Sequence, residues 1–334
     1  MTVQKEALEA AIEANAPTIL WGEPGIGKTA TIQEIVKERK GYMYTFIASQ
    51  RDPVDLTGAM HPAMRDGQPV TRYSPPEWAV VLNEKAKSKQ FTVLFLDEFS
   101  TAPAIMQAAC LRLLHEKMVG DYELDPRVRV ILAANPADVA AYGHDLAPPT
   151  ANRICHLEWT LTAEEWAEGM LYGGWVPPLE NERADNILRS EVLPLVTAYV
   201  RHSSNLLKRP KSDTEAGRAW ASGRTWAMGA VLLAVSKADG YSEDVSSMLL
   251  RGAIGDGLAM EYLGYVRELD LPDPEWLLKD PAKNFKMPPR QDQLFAVLGA
   301  VVSVVCTEKG ITAPRNEAAW SILAMAAEGD GKTK

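Results

Sequence analysis

Eight residues near the start of the chain have the types and spacing to hold phosphate. Gly22-Glu23-Pro24-Gly25-Ile26-Gly27-Lys28-Thr29 matches the pattern G-x-x-x-x-G-K-T at every fixed position. Glycine accepts positive φ, so such a loop can turn successive backbone N–H groups around an anion. The lysine that ends it can set an ammonium between phosphates, and the threonine hydroxyl can ligate a divalent cation. Ala30 comes next, and Gly22–Ala30 is the expected nucleotide-contacting run. A second group lies downstream, where Asp97-Glu98 closes the apolar run Phe91–Leu96. Adjacent carboxylates can divide two tasks: Asp97 stays charged beside Mg2+, and Glu98 deprotonates water. A third is Asn135 in Ala-Ala-Asn-Pro, an amide that can hold the attacking water. By itself an Asp-Glu after an apolar run is commonly a strand end, and an Asn-Pro commonly a turn. The glycine loop upstream makes the chemical reading the better one for both.

These groups need a scaffold, and the surrounding pattern supplies it. Thr18–Trp21 is a short apolar strand entering the loop, and Thr29–Lys40 has helical composition ending at Gly41. Tyr42–Ala48, Phe91–Leu96, Val128–Ala133 and Arg153–Leu157 read as further strands, with Glu77–Lys87 and Pro103–Met118 as helices. Alternating strands and helices predict a parallel sheet covered by helices. Gln50–Ser74 is rich in Gly, Pro and Asp and reads as loop with one helical turn; Val119–Arg127 reads as a hairpin around Gly120. After Trp159 the pattern becomes helical: a capped start at Thr162, then Ala184–Asn205, Thr225–Ser236, Glu243–Arg251, Asp256–Arg267, Gln291–Thr307 and Ala313–Ala327. The expected domains are residues 1–160, a linker at 161–182, and a helical domain at 183–330 with a Pro-rich strap at 269–290.

The 334 residues carry a net charge of −9, which argues against a nucleic-acid backbone as the main partner. The basic runs Lys85–Lys89 and Lys208–Lys211 read as solvated faces. No apolar stretch reaches the ~18 residues of a membrane span, and Met1–Leu8 has no apolar signal core. The three cysteines, Cys110, Cys155 and Cys306, are scattered, and His144, His156 and His202 lack metal-ligand spacing, so a cytoplasmic, reduced setting is expected. The nine tryptophans read as packing residues; Trp21, just before the loop, is also a candidate for contact with the nucleotide. The Gly-Lys-Thr in the terminal Gly329–Lys334 lacks a preceding strand and reads as chance.

Together, these residues resemble the AAA+ ATPases, and within them the MoxR-like (dynein-related) branch. Gly22–Thr29 looks like Walker A, Leu94–Glu98 like Walker B with its catalytic glutamate, and Asn135 like sensor 1. Pro53–Gly58 and Gln107–Lys117 resemble family segments after the second strand and after Walker B. The resemblance covers residues 1–160 and implies an α/β P-loop NTPase fold: a five-stranded parallel sheet in order 5-1-4-3-2, then an all-helical lid domain. It also implies that Arg153 is an arginine finger, with Ile154 where the family has Phe. Arg224 matches sensor 2, with Gly223 in place of Pro. A planar cation at either place can neutralise charge on the transferring phosphoryl; Arg127 and Arg129 are rival finger candidates. The function implied by the resemblance is ATP hydrolysis with Mg2+ in a ring, usually of six, and chaperone-like remodelling of a protein client. The partner is often a protein with a von Willebrand factor A domain. Gln50–Ser74 and Val119–Pro126 are the expected partner-facing or pore-facing loops. The alternatives are a nucleic-acid motor or loader, and a nucleotide-regulated scaffold with little turnover.

Overall fold

The computed structural model describes residues 3–136, 146–202, 207, 218–269, 271–305 and 312–329. His144, Cys306, the basic run Lys208–Lys211 and all but Gly329 of the terminal segment lie outside them. The chain divides into two compact units, Met1–Pro24 with Lys28–Thr160, and Gly25–Gly27 with Leu161–Lys334.

In the first unit, β1 (Thr18–Trp21), β2 (Tyr42–Ile47), β5 (Thr92–Asp97), β8 (Val128–Ala134) and β9 (Cys155–Glu158) form one sheet. Its order is β2-β5-β8-β1-β9, and every neighbouring pair is parallel. Numbering only these five strands along the chain, the order is 5-1-4-3-2 from the β9 edge, as the resemblance implies. Thr92–Leu96 is buried throughout, so β5 needs apolar residues on both faces and reads as a continuous run rather than an alternation. Helices α1 (Val3–Glu13), α2 (Lys28–Glu38), α4 (Glu77–Lys87) and α5 (Ala104–Glu116) accompany it. On α2 the buried Thr31, Ile32, Ile35 and Val36 share one helical face.

The segment expected to be loop at Gln50–Ser74 is more ordered than that. It forms the short helix α3 (Pro53–Thr57) and an antiparallel hairpin, β3 (Ala59–Arg65) with β4 (Gln68–Ser74). Both hairpin strands are largely exposed, so they lack the alternation of a half-buried strand, and Pro62 and Pro69 obscure them further. The legible signal is Asp66-Gly67: both have positive φ, as a two-residue type I′ turn requires. A second small hairpin pairs β6 (Met118–Val119) with β7 (Tyr122–Glu123), where one is expected. The one-turn helix α6 (Pro148–Ala151) precedes β9.

Every regular element described in the second unit is helical. The segment 161–182 holds the helix Ala163–Leu171, started by a Thr162–Glu165 capping box and burying Trp166, Ala167 and Met170. The expected helix Ala184–Asn205 is interrupted. Glu182–Ile187 passes through a π turn at Leu188–Val192 into Leu193–His202. Pro194 has no N–H for the carbonyl four residues back, and the wider turn absorbs the defect. Helices Gly223–Ala238, Glu243–Ile254 and Asp256–Glu268 come next. An aromatic cluster of Tyr199, Trp226 and Tyr262, with ring centres 5.3–5.8 Å apart, fills the centre of this bundle. The Pro-rich stretch 269–290 contains two short helices, Pro274–Lys279 and Pro281–Asn284, each with Pro in its first turn after an Asp cap. It buries Leu277, Leu278 and Phe285 against the helices Gln291–Val305 and Ala313–Gly329. Among the described residues no helix is long and apolar enough to cross a membrane.

Gly58 joins α3 to the larger hairpin at φ 89°, ψ 175°, where glycine alone is comfortable. A Cβ there would lie 2.0 Å from the Ser74 carbonyl oxygen, so the hairpin base would have to open. Gly58→Ala is expected to cost about 1–3 kcal/mol from backbone strain alone, read as a lower midpoint in urea denaturation.

Candidate active site

Three adjacent strands, β5, β8 and β1, deliver the site residues to one edge of the sheet, because parallel strands share a carboxyl end. β1 passes directly into the glycine loop, and the Gly22 N–H donates to the Ala134 carbonyl at 3.2 Å, extending the β1–β8 pairing by one residue. Gly25 and Gly27 sit at φ +82° and +84°, which lets the loop curl. α2 starts at Lys28, so the loop leads into the positive end of a helix, a natural place for an anion.

Lys28 is 8% exposed, and an ammonium so placed must be hydrogen-bonded. Its Nζ donates to the Gly22 carbonyl at 2.7 Å, the Glu23 carbonyl at 3.0 Å and the Asn135 Oδ1 at 2.9 Å. Asn135 is itself clamped. Ser100 Oγ donates to its carbonyl at 2.9 Å, and its own N–H donates to that oxygen at 3.2 Å. On the next strand Thr29 Oγ1 donates to Asp97 Oδ2 at 3.2 Å. Hydroxyl and carboxylate oxygen are hard donors of the kind Mg2+ takes, so this pair suits that ion. The other Asp97 oxygen accepts the Glu98 N–H at 2.9 Å. Glu98 adopts left-handed backbone angles, φ 54° and ψ 36°, and its carboxylate is exposed. Ser49 Oγ donates to Glu98 Oε2 at 2.5 Å.

Sequence reasoning does not single out Ser49 or Ser100. Ser49 lies two residues after β2, and β2 pairs with β5 with Ile47 opposite Asp97. Residues just past the ends of paired strands come together, so Ser49 faces Glu98.

The arginine candidates separate by what they already hold. Arg127 grips Asp125 with two bonds, Nε to Oδ1 at 2.8 Å and Nη2 to Oδ2 at 2.7 Å. That hydrogen bonding holds the Asp125 carboxyl down at about 2. Arg129 donates to the Ile12 and Arg127 carbonyls and lies over the Phe91 ring. Arg153 is exposed on the turn before β9 and donates from Nη1 to the Pro149 carbonyl at 2.5 Å. Arg224 belongs to the second unit. It is exposed in the first turn of Gly223–Ala238, behind the capping box of Ser222 and Thr225. Lys28 is thus bonded to Asn135, and Thr29 to Asp97, whose other oxygen holds the Glu98 N–H. Cys110 is buried in α5, and burial pushes its thiol up to about 12, which leaves it inert.

Residues 17–154 match the AAA domain of the dynein-related subfamily. No curated protein matches the chain. Among solved structures it is similar to a Cytophaga hutchinsonii protein described as an ATPase (TM-score 0.36, 18% identity, 75% of this chain and 81% of that one). It is also similar to NtrX of Brucella abortus (TM-score 0.32, 15% identity, 80% and 68%). A third is a mutant RuvB of Thermotoga maritima (TM-score 0.39, 16% identity, 93% and 85%).

Lys28→Met keeps the length of the side chain and removes its charge. Charge-assisted hydrogen bonds contribute about 1.5–3 kcal/mol each. The variant is therefore expected to weaken ATP binding by roughly 10- to 100-fold, measured by titration with a fluorescent ATP analogue.

Proposed function

We propose that this chain is an ATPase, its residues 17–154 being similar to the AAA domain of the dynein-related subfamily, and that it couples hydrolysis to remodelling of a protein partner within a ring of like subunits. The observation that carries this reading is the pairing of Lys28 with Asn135 and of Thr29 with Asp97 at the carboxyl end of β1, β5 and β8. Such a constellation both binds a polyphosphate and directs a water at it.

In the proposed cycle the backbone N–H groups of Gly22–Ala30 surround the phosphates, and Lys28 exchanges its carbonyl partners for phosphate oxygens. Thr29 and Asp97 would hold Mg2+, which supplies charge neutralisation on those oxygens when bound. Asn135 orients the attacking water, and Glu98 takes its proton once the carboxylate is turned from Ser49. Arg153 is offered to the site of the neighbouring subunit, where its guanidinium balances charge on the phosphoryl group in flight. Its exposure, and the internal commitments of Arg127 and Arg129, support Arg153 over those two. Arg224, matching sensor 2, is the second cation proposed to balance phosphoryl charge.

A protein client is preferred to a nucleic acid because the chain carries a net charge of −9. The β3–β4 hairpin, with Met60 and Met64 exposed, and the β6–β7 hairpin are the proposed partner-facing or pore-facing parts. A partner with a von Willebrand factor A domain, a six-membered ring and a cytoplasmic setting complete the proposal, resting on the MoxR-like resemblance.

Glu98→Gln is expected to bind ATP as the wild type does and to lose about 10²–10⁴ in kcat. Arg153→Ala should likewise keep binding and lose about 10³ or more. Turnover is to be measured alone, with DNA and with candidate protein clients. Strong stimulation by DNA alone would overturn the client assignment, and full activity of Arg153→Ala would remove Arg153 from the shared site.

A further inference from the structure

One bond in the first unit ties the root of the glycine loop to the turn that carries Arg153. Trp21 is the last residue of β1, immediately before Gly22. Its indole Nε1 donates to His156 Nδ1 on β9 at 2.9 Å. The two rings are inclined by only 12° with centres 6.1 Å apart. A contact between nitrogens this short, with centres this far apart, means that the rings lie side by side in nearly one plane. That is where the imidazole lone pair points. The opposite nitrogen, His156 Nε2, lies 2.9 Å from the Ala151 carbonyl oxygen. Together the two bonds assign the neutral imidazole with its proton on Nε2: Nδ1 accepts and Nε2 donates.

Ala151 is the last residue of α6, two positions before Arg153. A helix of four residues does not hold itself, so its direction is set by what it is fastened to. Thr150 and Ile154 are buried, and His156 fastens the exposed side. Lys28 meanwhile draws on the Gly22 carbonyl, next to Trp21. A continuous line of contacts therefore runs from Asn135 through Lys28, Gly22, Trp21 and His156 to the arginine turn.

We propose that His156 is a positioning residue for Arg153, holding the arginine turn in register with the subunit's own phosphate loop. The inference rests on the proposed sharing of Arg153 between subunits. Misplacement of a charge-balancing group by about 1 Å costs up to ~10²-fold in rate, and coupling through such contacts is commonly several-fold. His156→Ala and Trp21→Phe, the second keeping an aromatic ring while removing the indole donor, are each expected to lower kcat about ten-fold. In His156→Ala KM for ATP should stay within about two-fold, since His156 is not placed among the nucleotide-contacting groups.

Mixing tests whether the defect lies in what a subunit gives its neighbour. Glu98→Gln subunits cannot turn over but carry an intact Arg153. Co-assembled in excess with His156→Ala subunits, they should restore turnover per His156→Ala subunit toward the wild-type value, and they should restore Arg153→Ala in the same way. Rescue of Arg153→Ala without rescue of His156→Ala overturns this inference and leaves the shared site standing. Failure to rescue either removes the shared site itself. An unchanged kcat in His156→Ala or Trp21→Phe, or a rise in KM matching the loss in His156→Ala, also overturns it.

Discussion

A nearly buried ammonium has to find acceptors, and the way Lys28 finds them organises the first unit. Two of its acceptors are carbonyls of its own loop, Gly22 and Glu23, which the chain can aim inward because the loop is rich in glycine. Another is the Asn135 side chain at the end of β8. That contact requires β8 to lie beside β1, so the crossover order of the sheet is part of how one lysine is satisfied. Ser100, just past the end of β5, fixes Asn135 and brings the third strand into the same arrangement. The placement of Lys28, the clamping of Asn135 and the strand order are therefore facets of one requirement for hydrogen-bond satisfaction.

The carboxylates answer a different requirement. Asp97 is half-buried and takes one donor on each oxygen, from Thr29 and from the Glu98 backbone, so its charge is fixed in place. Glu98 is exposed and is held by the hydroxyl of Ser49. A fixed carboxylate suits a permanent counter-charge. One restrained by an exchangeable hydroxyl suits a group that must move a proton. Both come at the end of one apolar strand, and the difference between them comes from neighbours on other strands.

How much of this is legible in the sequence depends on range. Glu77–Lys87 is a helix from first to last expected residue, because its periodicity and its terminal lysines are local signals. The motif residues are legible for the same reason, since chemistry and spacing lie within a few positions. The β3–β4 hairpin is hidden because a hairpin exposed on both faces has no apolar alternation to display, leaving only Asp66-Gly67 to mark it. The break in Ala184–Asn205 is written in Pro194, whose effect as a π turn rather than a stop depends on the helix being packed on both sides of it. Ser49 is invisible because its significance is set by pairing with a strand about fifty residues away. Sequence order alone carries no such register.

Glu98 also bears on how the protein can change over time. Left-handed backbone angles cost an ordinary residue about 1–2 kcal/mol, and Asn or Gly meets them at less expense. A population selected for thermal robustness alone would drift toward those residues at this position and lose the proposed proton acceptor. The strain therefore marks a site where stability and activity pull substitution in opposite directions. Stabilised variants of this protein should be sought elsewhere in the chain.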